Sequence, residues 1–147
     1  GGTVLDPFCG TGAILAETHL AGLKALGTDI SDRMVEGARA NLAHLGASAV
    51  TRVCDVGAIE GVVGEVDGIA TDPPYGRSTS TNGEPLDELY ARSLRAFADV
   101  LGRGCRLAIA VPDMAALEAA RGFKLLESHP LWVHRSLTRN FCVFERV

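Results

Sequence analysis

The sequence predicts an α/β domain: a mainly parallel sheet with helices on both faces, finished by an antiparallel hairpin. Three observations lead there. Short apolar runs alternate with stretches of helical period along the chain. Four successive runs end in aspartate or an aspartate-containing turn, at Asp6, Asp29, Asp55 and Asp72. Two extended runs, 123–133 and 137–147, close the sequence with no room for a helix between them.

Thr3-Val4-Leu5 is a short apolar run ended by Asp6-Pro7 and reads as a buried strand. Gly10-Thr11-Gly12 then opens a helix that Gly22 ends. Residues 24–28 form a second strand, closed by Asp29. Ser31 or Asp32 can cap the next helix, whose Met34, Val35, Ala38, Leu42 and Leu45 fall on one face before Gly46 ends it. Residues 49–53 are a third strand, closed by Cys54-Asp55. Val66-Asp67-Gly68 leads into a fourth, 69–71, closed by Asp72-Pro73-Pro74. Residues 76–84 are polar and rich in Gly, Ser and Thr, hence a loop. Pro85 suits the first turn of a long helix in which Leu86, Leu89, Tyr90, Ser93, Leu94, Phe97, Val100 and Leu101 recur at intervals of three and four. Residues 105–111 are a fifth strand, and Pro112-Asp113 start a short Ala-rich helix that stops at Gly122. No repeat, low-complexity segment or linker interrupts this order, so residues 1–147 are expected to form one domain.

Composition sets the outer bounds. With 47% hydrophobic and 22% charged residues, the chain is neither a disordered tail, a fibre nor a coiled coil. No apolar run reaches the ~18 residues of a membrane span. A chain of 147 residues buries roughly 70% of its unfolded surface and can build its own core. Cysteines 9, 54, 105 and 142 are too few for a disulfide scaffold and too far apart for a metal knuckle, which points to reduced thiols in a cytoplasmic protein. No signal peptide is visible, and the chain, which starts without Met, is expected to be processed or a piece of a longer protein. The net charge of −4 argues by itself against a dedicated nucleic-acid binder. The charge is unevenly spread: residues 1–73 hold four basic and ten acidic residues, net −6, and 74–147 hold ten and eight, net +2. The basic edge near the closing hairpin can touch RNA phosphates or can simply be a solvated face. His19 and His44 read as surface or packing residues, and Trp132 as a core or hairpin anchor more than a base-stacking platform.

In open α/β sheets ligands bind outside the carboxyl ends of the strands. Four aspartates there make a site rich in acceptors rather than phosphate-binding cations. The turn Asp6-Pro7-Phe8-Cys9-Gly10-Thr11-Gly12 lets backbone approach a ligand, but Leu15 breaks the dinucleotide fingerprint. Asp29 can accept both ribose hydroxyls of a nucleoside or serve as a helix cap; Asp55 can accept from an adenine amino group or be a loop aspartate. In Asp72-Pro73-Pro74-Tyr75 two prolines stiffen the backbone, so the Asp72 carboxylate and the Pro73 carbonyl can both face outward as acceptors. Tyr75 adds a flat stacking face. That set suits a planar amino group. An exocyclic base amine is a poor nucleophile because its lone pair is delocalised. Two acceptors on its hydrogens favour a pyramidal nitrogen, and placement supplies much of the rate.

These residues carry a resemblance. Asp6-Pro7-Phe8-Cys9-Gly10-Thr11-Gly12, Gly27-Thr28-Asp29-Ile30 and Thr71-Asp72-Pro73-Pro74-Tyr75-Gly76 resemble a class I S-adenosylmethionine-dependent amino-methyltransferase, with its Rossmann-like fold. Together with Gly76-Arg77-Ser78-Thr79, Leu89-Tyr90 and His134-Arg135-Ser136-Leu137-Thr138-Arg139, the likeness narrows to the archaeal and eukaryotic enzymes that methylate guanine N2 at position ten of tRNA. The resemblance implies that Asp6, Cys9, Gly10, Thr11 and Gly12 line the methionine part of S-adenosylmethionine. It places Asp29 with Ile30 at the ribose and Asp55 with Val56 at the adenine. Asp72 and Pro73 would orient the guanine amine, with Pro74 stiffening the turn and Tyr75 on the base. Arg77, Arg135 and Arg139 are candidates for RNA contact. The methyl sulfonium is already activated, so no metal is implied. Those enzymes carry an N-terminal RNA-binding THUMP module that this sequence does not contain, so tRNA binding is expected to need it. An rRNA guanine, an adenine N6 and a protein glutamine amide stay open as acceptors, as does a non-catalytic RNA-binding domain of the same fold.

Overall fold

The structure, a computed structural model, describes residues 1–76, 81–117 and 120–147. Seven strands form one sheet: β1 (Thr3–Asp6), β2 (Lys24–Asp29), β3 (Ala49–Val53), β4 (Val66–Thr71), β5 (Leu101–Val111), β6 (Phe123–His134) and β7 (Leu137–Arg146). The helices are α1 (Ala13–Leu20), α2 (Asp32–Leu45), α3 (Glu60–Val63) and α4 (Leu86–Val100), with single 3₁₀ turns at Val56–Ala58 and Met114–Leu117. The order across the sheet is β3-β2-β1-β4-β5-β7-β6. β1 to β5 pair in parallel, and β7 enters antiparallel between β5 and β6. The chain winds outward from β1 to β3, then returns to β4 on the other side of β1. That reversal opens a crevice between the carboxyl ends of β1 and β4, where a ligand can sit.

Alternation along the strands divides the core between the two faces. On one face Leu5, Ile69, Leu107 and Ile109 meet Leu89, Tyr90, Leu94 and Phe97 of α4. Burial of Phe97 and Leu94, at 0% and 1% exposure, contributes about 1.5–3 kcal/mol each. On the other, Cys9, Leu15, Ala16 and Ala25 pack with Leu42 of α2. Gly27 makes that layer thin: a Cβ there would stand 2.5 Å from Leu15 Cδ1 and 3.0 Å from Cys9 Cβ.

Several boundaries depart from the sequence reading. β4 starts at Val66 rather than 69, and β5 at Leu101 rather than 105. Gly68 and Gly102-Arg103-Gly104 look like turns, but Val66 pairs with Leu101, and a register shift before Gly68 absorbs the extra residues. The 3₁₀ turn and α3, between β3 and β4, are too short and glycine-rich to show a period. Pro85 is the N-cap of α4 rather than a residue of its first turn. Ser31 caps α2, its hydroxyl accepting from Met34 N–H at 3.3 Å, but Leu45 at the far end is 65% exposed and leaves the apolar face. The Ala-rich helix after Pro112 shortens to the turn Met114–Leu117, with 118–119 outside the described residues. Trp132 is 69% exposed on the outer strand β6 and anchors no core. The four cysteines are free thiols. Among the described residues no helix is long and apolar enough to cross a membrane.

Candidate active site

The crevice is a cleft of about 730 Å³. Asp29, Ile30, Asp55 and Val56 form one side, and Asp72, Pro73, Pro74 and Tyr75 the other. Phe8 and Gly10 lie between them, and Thr81, Asn82 and Glu84 of the loop before α4 contribute a further wall.

Of the five first-turn residues, Gly10 alone reaches the cleft wall. It holds φ +48°, with nothing within 4 Å of where a Cβ would be. Asp6 instead turns inward at 2% exposure. Its Oδ1 accepts from the Thr71 hydroxyl at 2.7 Å and from Phe8 N–H at 3.1 Å, tying the ends of β1 and β4 together. Burial pushes its carboxyl up to about 7. Cys9 packs into the core against Leu15, and burial pushes its thiol up to about 12. Thr11 faces solvent with its carbonyl on Asn41, and Gly12 starts α1 pressed against Ala38. These four shape the turn from behind: Asp6 and Cys9 point into the core, and the chain turns toward α1 after Gly10.

Asp29 lines the cleft. One oxygen accepts Gly10 N–H at 3.0 Å and the other Ser31 N–H at 2.9 Å. Each oxygen keeps a lone pair, so the carboxylate is oriented yet free to take two hydroxyls. Ile30, 54% exposed, and the buried Val56 supply apolar surface on the same side. Asp55 carries a partner that sequence spacing does not reveal. Arg92 of α4 binds it through both terminal nitrogens, at 2.5 and 3.0 Å, and grips Glu84 at 2.7 and 2.9 Å. Gly57 N–H also donates to Oδ1 at 2.8 Å, which leaves Oδ2 as the atom with room for an amino group. The Arg92 contact comes first among the effects that hold the Asp55 carboxyl below the usual carboxylate range. Arg92 thus clips the loop wall to the end of β3.

Tyr90, also on α4 and 1% exposed, donates its hydroxyl to the Pro74 carbonyl at 3.1 Å and fixes the proline turn. Arg139 reaches across from β7 and binds Asp72 through both terminal nitrogens. Its guanidinium carbon lies 4.9 Å from the centre of the Tyr75 ring. Of the three arginines expected at the RNA, Arg139 is therefore turned onto Asp72. Arg135 is exposed at the hairpin tip, and Arg77 lies outside the described residues. Arg92 was missed by sequence reading. Its only signal is an arginine next to Ser93 within the period of α4, and Arg95 on the same helix looks no different in sequence.

A doubly wound sheet, a cleft at its reversal point and an Asp-Pro-Pro-Tyr turn on the rim define an α/β domain of the methyltransferase type. The chain belongs to the UPF0020 family: the family model described as RMKL-like, methyltransferase domain matches residues 1–140. It is 42% identical over 149 residues to the tRNA (guanine(10)-N2)-dimethyltransferase of Methanothermobacter thermautotrophicus, covering 100% of this chain and 44% of that protein. To the enzyme of the same name from Pyrococcus abyssi it is 46% identical over 148 residues, 97% of this chain and 44% of the relative. The crystal structure of TrmN from Thermus thermophilus superposes with a TM-score of 0.88 at 27% identity, over 100% of this chain and 44% of that one. The chain thus spans less than half the length of these relatives.

Proposed function

We propose that this chain is a catalytic domain that transfers a methyl group from S-adenosylmethionine to the exocyclic N2 amine of a guanosine in tRNA, at position ten. The observation that carries the reading is the Asp72-Pro73-Pro74-Tyr75 turn, braced by Tyr90 at the rim of a cleft whose other side is the acceptor set Asp29 and Asp55. The relatives named above support the guanine and the position.

The residues fit the cofactor. Asp29 keeps two lone pairs for ribose hydroxyls, Asp55 Oδ2 keeps one for an amino group, and Phe8, Ile30 and Val56 offer apolar surface for a flat base. When bound, S-adenosylmethionine supplies a methyl group on a positively charged sulfur, ready for displacement. Asp72 and the Pro73 carbonyl accept the amine hydrogens and turn its lone pair toward the cleft. Tyr75 holds the plane of an unstacked base. The Asp72 carboxylate also stabilises the positive charge that grows on the nitrogen, and is placed to take its proton. The exposed Arg135 and the slightly basic second half of the chain supply RNA phosphate contacts. The 44% coverage of the relatives leaves length for an RNA-gripping module such as THUMP.

Asp72→Ala tests the reading. Methyl transfer to tRNA is expected to fall by about 10²-fold or more while S-adenosylhomocysteine affinity stays within about threefold. Full activity in this variant overturns the role given to the turn.

A further inference from the structure

Arg139 lies where the acceptor base belongs. Nη1 donates to Asp72 Oδ2 at 3.1 Å and Nη2 donates to Oδ1, so each carboxylate oxygen carries one bond of the guanidinium fork. The guanidinium carbon lies over two rings, 4.9 Å from the centre of Tyr75 and 5.7 Å from that of Phe141. The Arg139 side chain is 14% exposed and that of Asp72 45%, so the arginine is the more buried partner of the pair. Its Nε is buried with no hydrogen-bond partner among the described residues. The group is held by its outer fork and its flat face, at the expense of its third donor position.

Guanine carries the same chemical fragment. Its N1–H and N2 amine are adjacent, parallel donors on one carbon of a flat π system. Those are the features Arg139 presents to Asp72 and Tyr75. Adenine pairs its amine with a bare ring nitrogen, an acceptor that a carboxylate repels. A pair of parallel N–H donors is therefore what this carboxylate and ring are shaped to receive.

Resting on the functional reading above, we propose that Arg139 is an internal stand-in for the target guanine: it occupies Asp72 and Tyr75 in the free protein, and the base must displace it to bind. The stand-in keeps the carboxylate paired between turnovers. It also sets an entry threshold that a base with a single matching donor fails to clear. The cost in apparent affinity is the fraction of time the arginine is off the site.

The test is equilibrium binding of guanosine and inosine to the protein at its natural full length, saturated with S-adenosylhomocysteine and followed by ligand-observed NMR. A nucleoside is used because it has no phosphate for the released guanidinium to grip. Arg139→Ala is expected to bind guanosine about tenfold more tightly than the unsubstituted protein. Inosine, which lacks the N2 amine, should gain much less. Arg139→Lys should fall between, since an ammonium cannot present a planar fork, and it carries the test if the alanine variant fails to fold. Unchanged or weaker guanosine binding with S-adenosylhomocysteine affinity intact overturns the proposal and makes Arg139 a fixed support for Asp72. A gain for adenosine in place of guanosine overturns both this proposal and the functional reading. The expected guanosine gain, in a protein that leaves no N2-methylguanosine in tRNA, overturns the functional reading alone.

Discussion

Replacing Asp6 by Asn should change how stability depends on pH. Asp6 is 2% exposed, and burial raises its carboxyl from 3.8 to about 7, with Asp72 and Asp29 adding and the Thr71 and Phe8 hydrogen bonds opposing. Between those pH values the folded protein holds a proton that the unfolded chain has released, so stability falls as pH rises. The contribution is complete below about pH 3.8 and gone above about 7. At about 1.4 kcal/mol per pH unit, tapering as the folded group titrates near 7, the stretch from pH 5 to 7 is worth roughly 2 kcal/mol. Both observed hydrogen bonds end on Oδ1, an atom the Asn side chain keeps. Asp6→Asn should therefore fold with the same local geometry and lose the slope. Urea unfolding from pH 5 to 8 should show a fall of roughly 2–3 kcal/mol in the unsubstituted protein and a markedly flatter line in the variant. Asp55 does not blur this. Its lowered carboxyl contributes stability above the normal carboxylate range and loses it only as pH falls below about 4. Parallel profiles for the two proteins would refute the assignment of a buried proton to Asp6.

Arg92→Met should remove the clip between Asp55 and Glu84. With Arg92 and Glu84 28% and 24% exposed and Asp55 38%, the stability loss should be about 1–2 kcal/mol in chemical denaturation, and calorimetry should show S-adenosylhomocysteine binding weakened several-fold. Arg92→Lys should not restore it, because a single ammonium cannot span both carboxylates. Tyr90→Phe should cost about 1 kcal/mol and lower kcat for tRNA roughly threefold to tenfold, leaving cofactor affinity unchanged, since its hydroxyl donates to the Pro74 carbonyl.

The first half of the sheet was legible because β1 to β4 carry short apolar runs punctuated by aspartate, a pattern local in sequence. β3, the long helix α4 and the closing hairpin stand close to where periodicity placed them. β4 and β5 were read short because glycines that look like turn residues are carried inside a ladder by neighbouring strands. The chemistry was legible where it rests on one peptide, as in Asp72-Pro73-Pro74-Tyr75. It was hidden where it rests on pairs far apart in the chain. Arg92 meets Asp55 across 37 residues and Arg139 meets Asp72 across 67, and no spacing rule connects them. The first-turn residues are a separate case. A glycine-rich turn shows that backbone approaches the cleft, but not which side chains face it: Cys9 packs into the core and Thr11 faces solvent.

The central claim is tested most directly by incubating the full-length protein with tRNA and methyl-labelled S-adenosylmethionine, then analysing the digested nucleosides by mass spectrometry. The expected product is N2-methylguanosine from position ten, absent when Asp72→Ala replaces the unsubstituted protein. Label on adenine N6, on protein, or equally on guanosine with the Asp72→Ala variant would contradict the account.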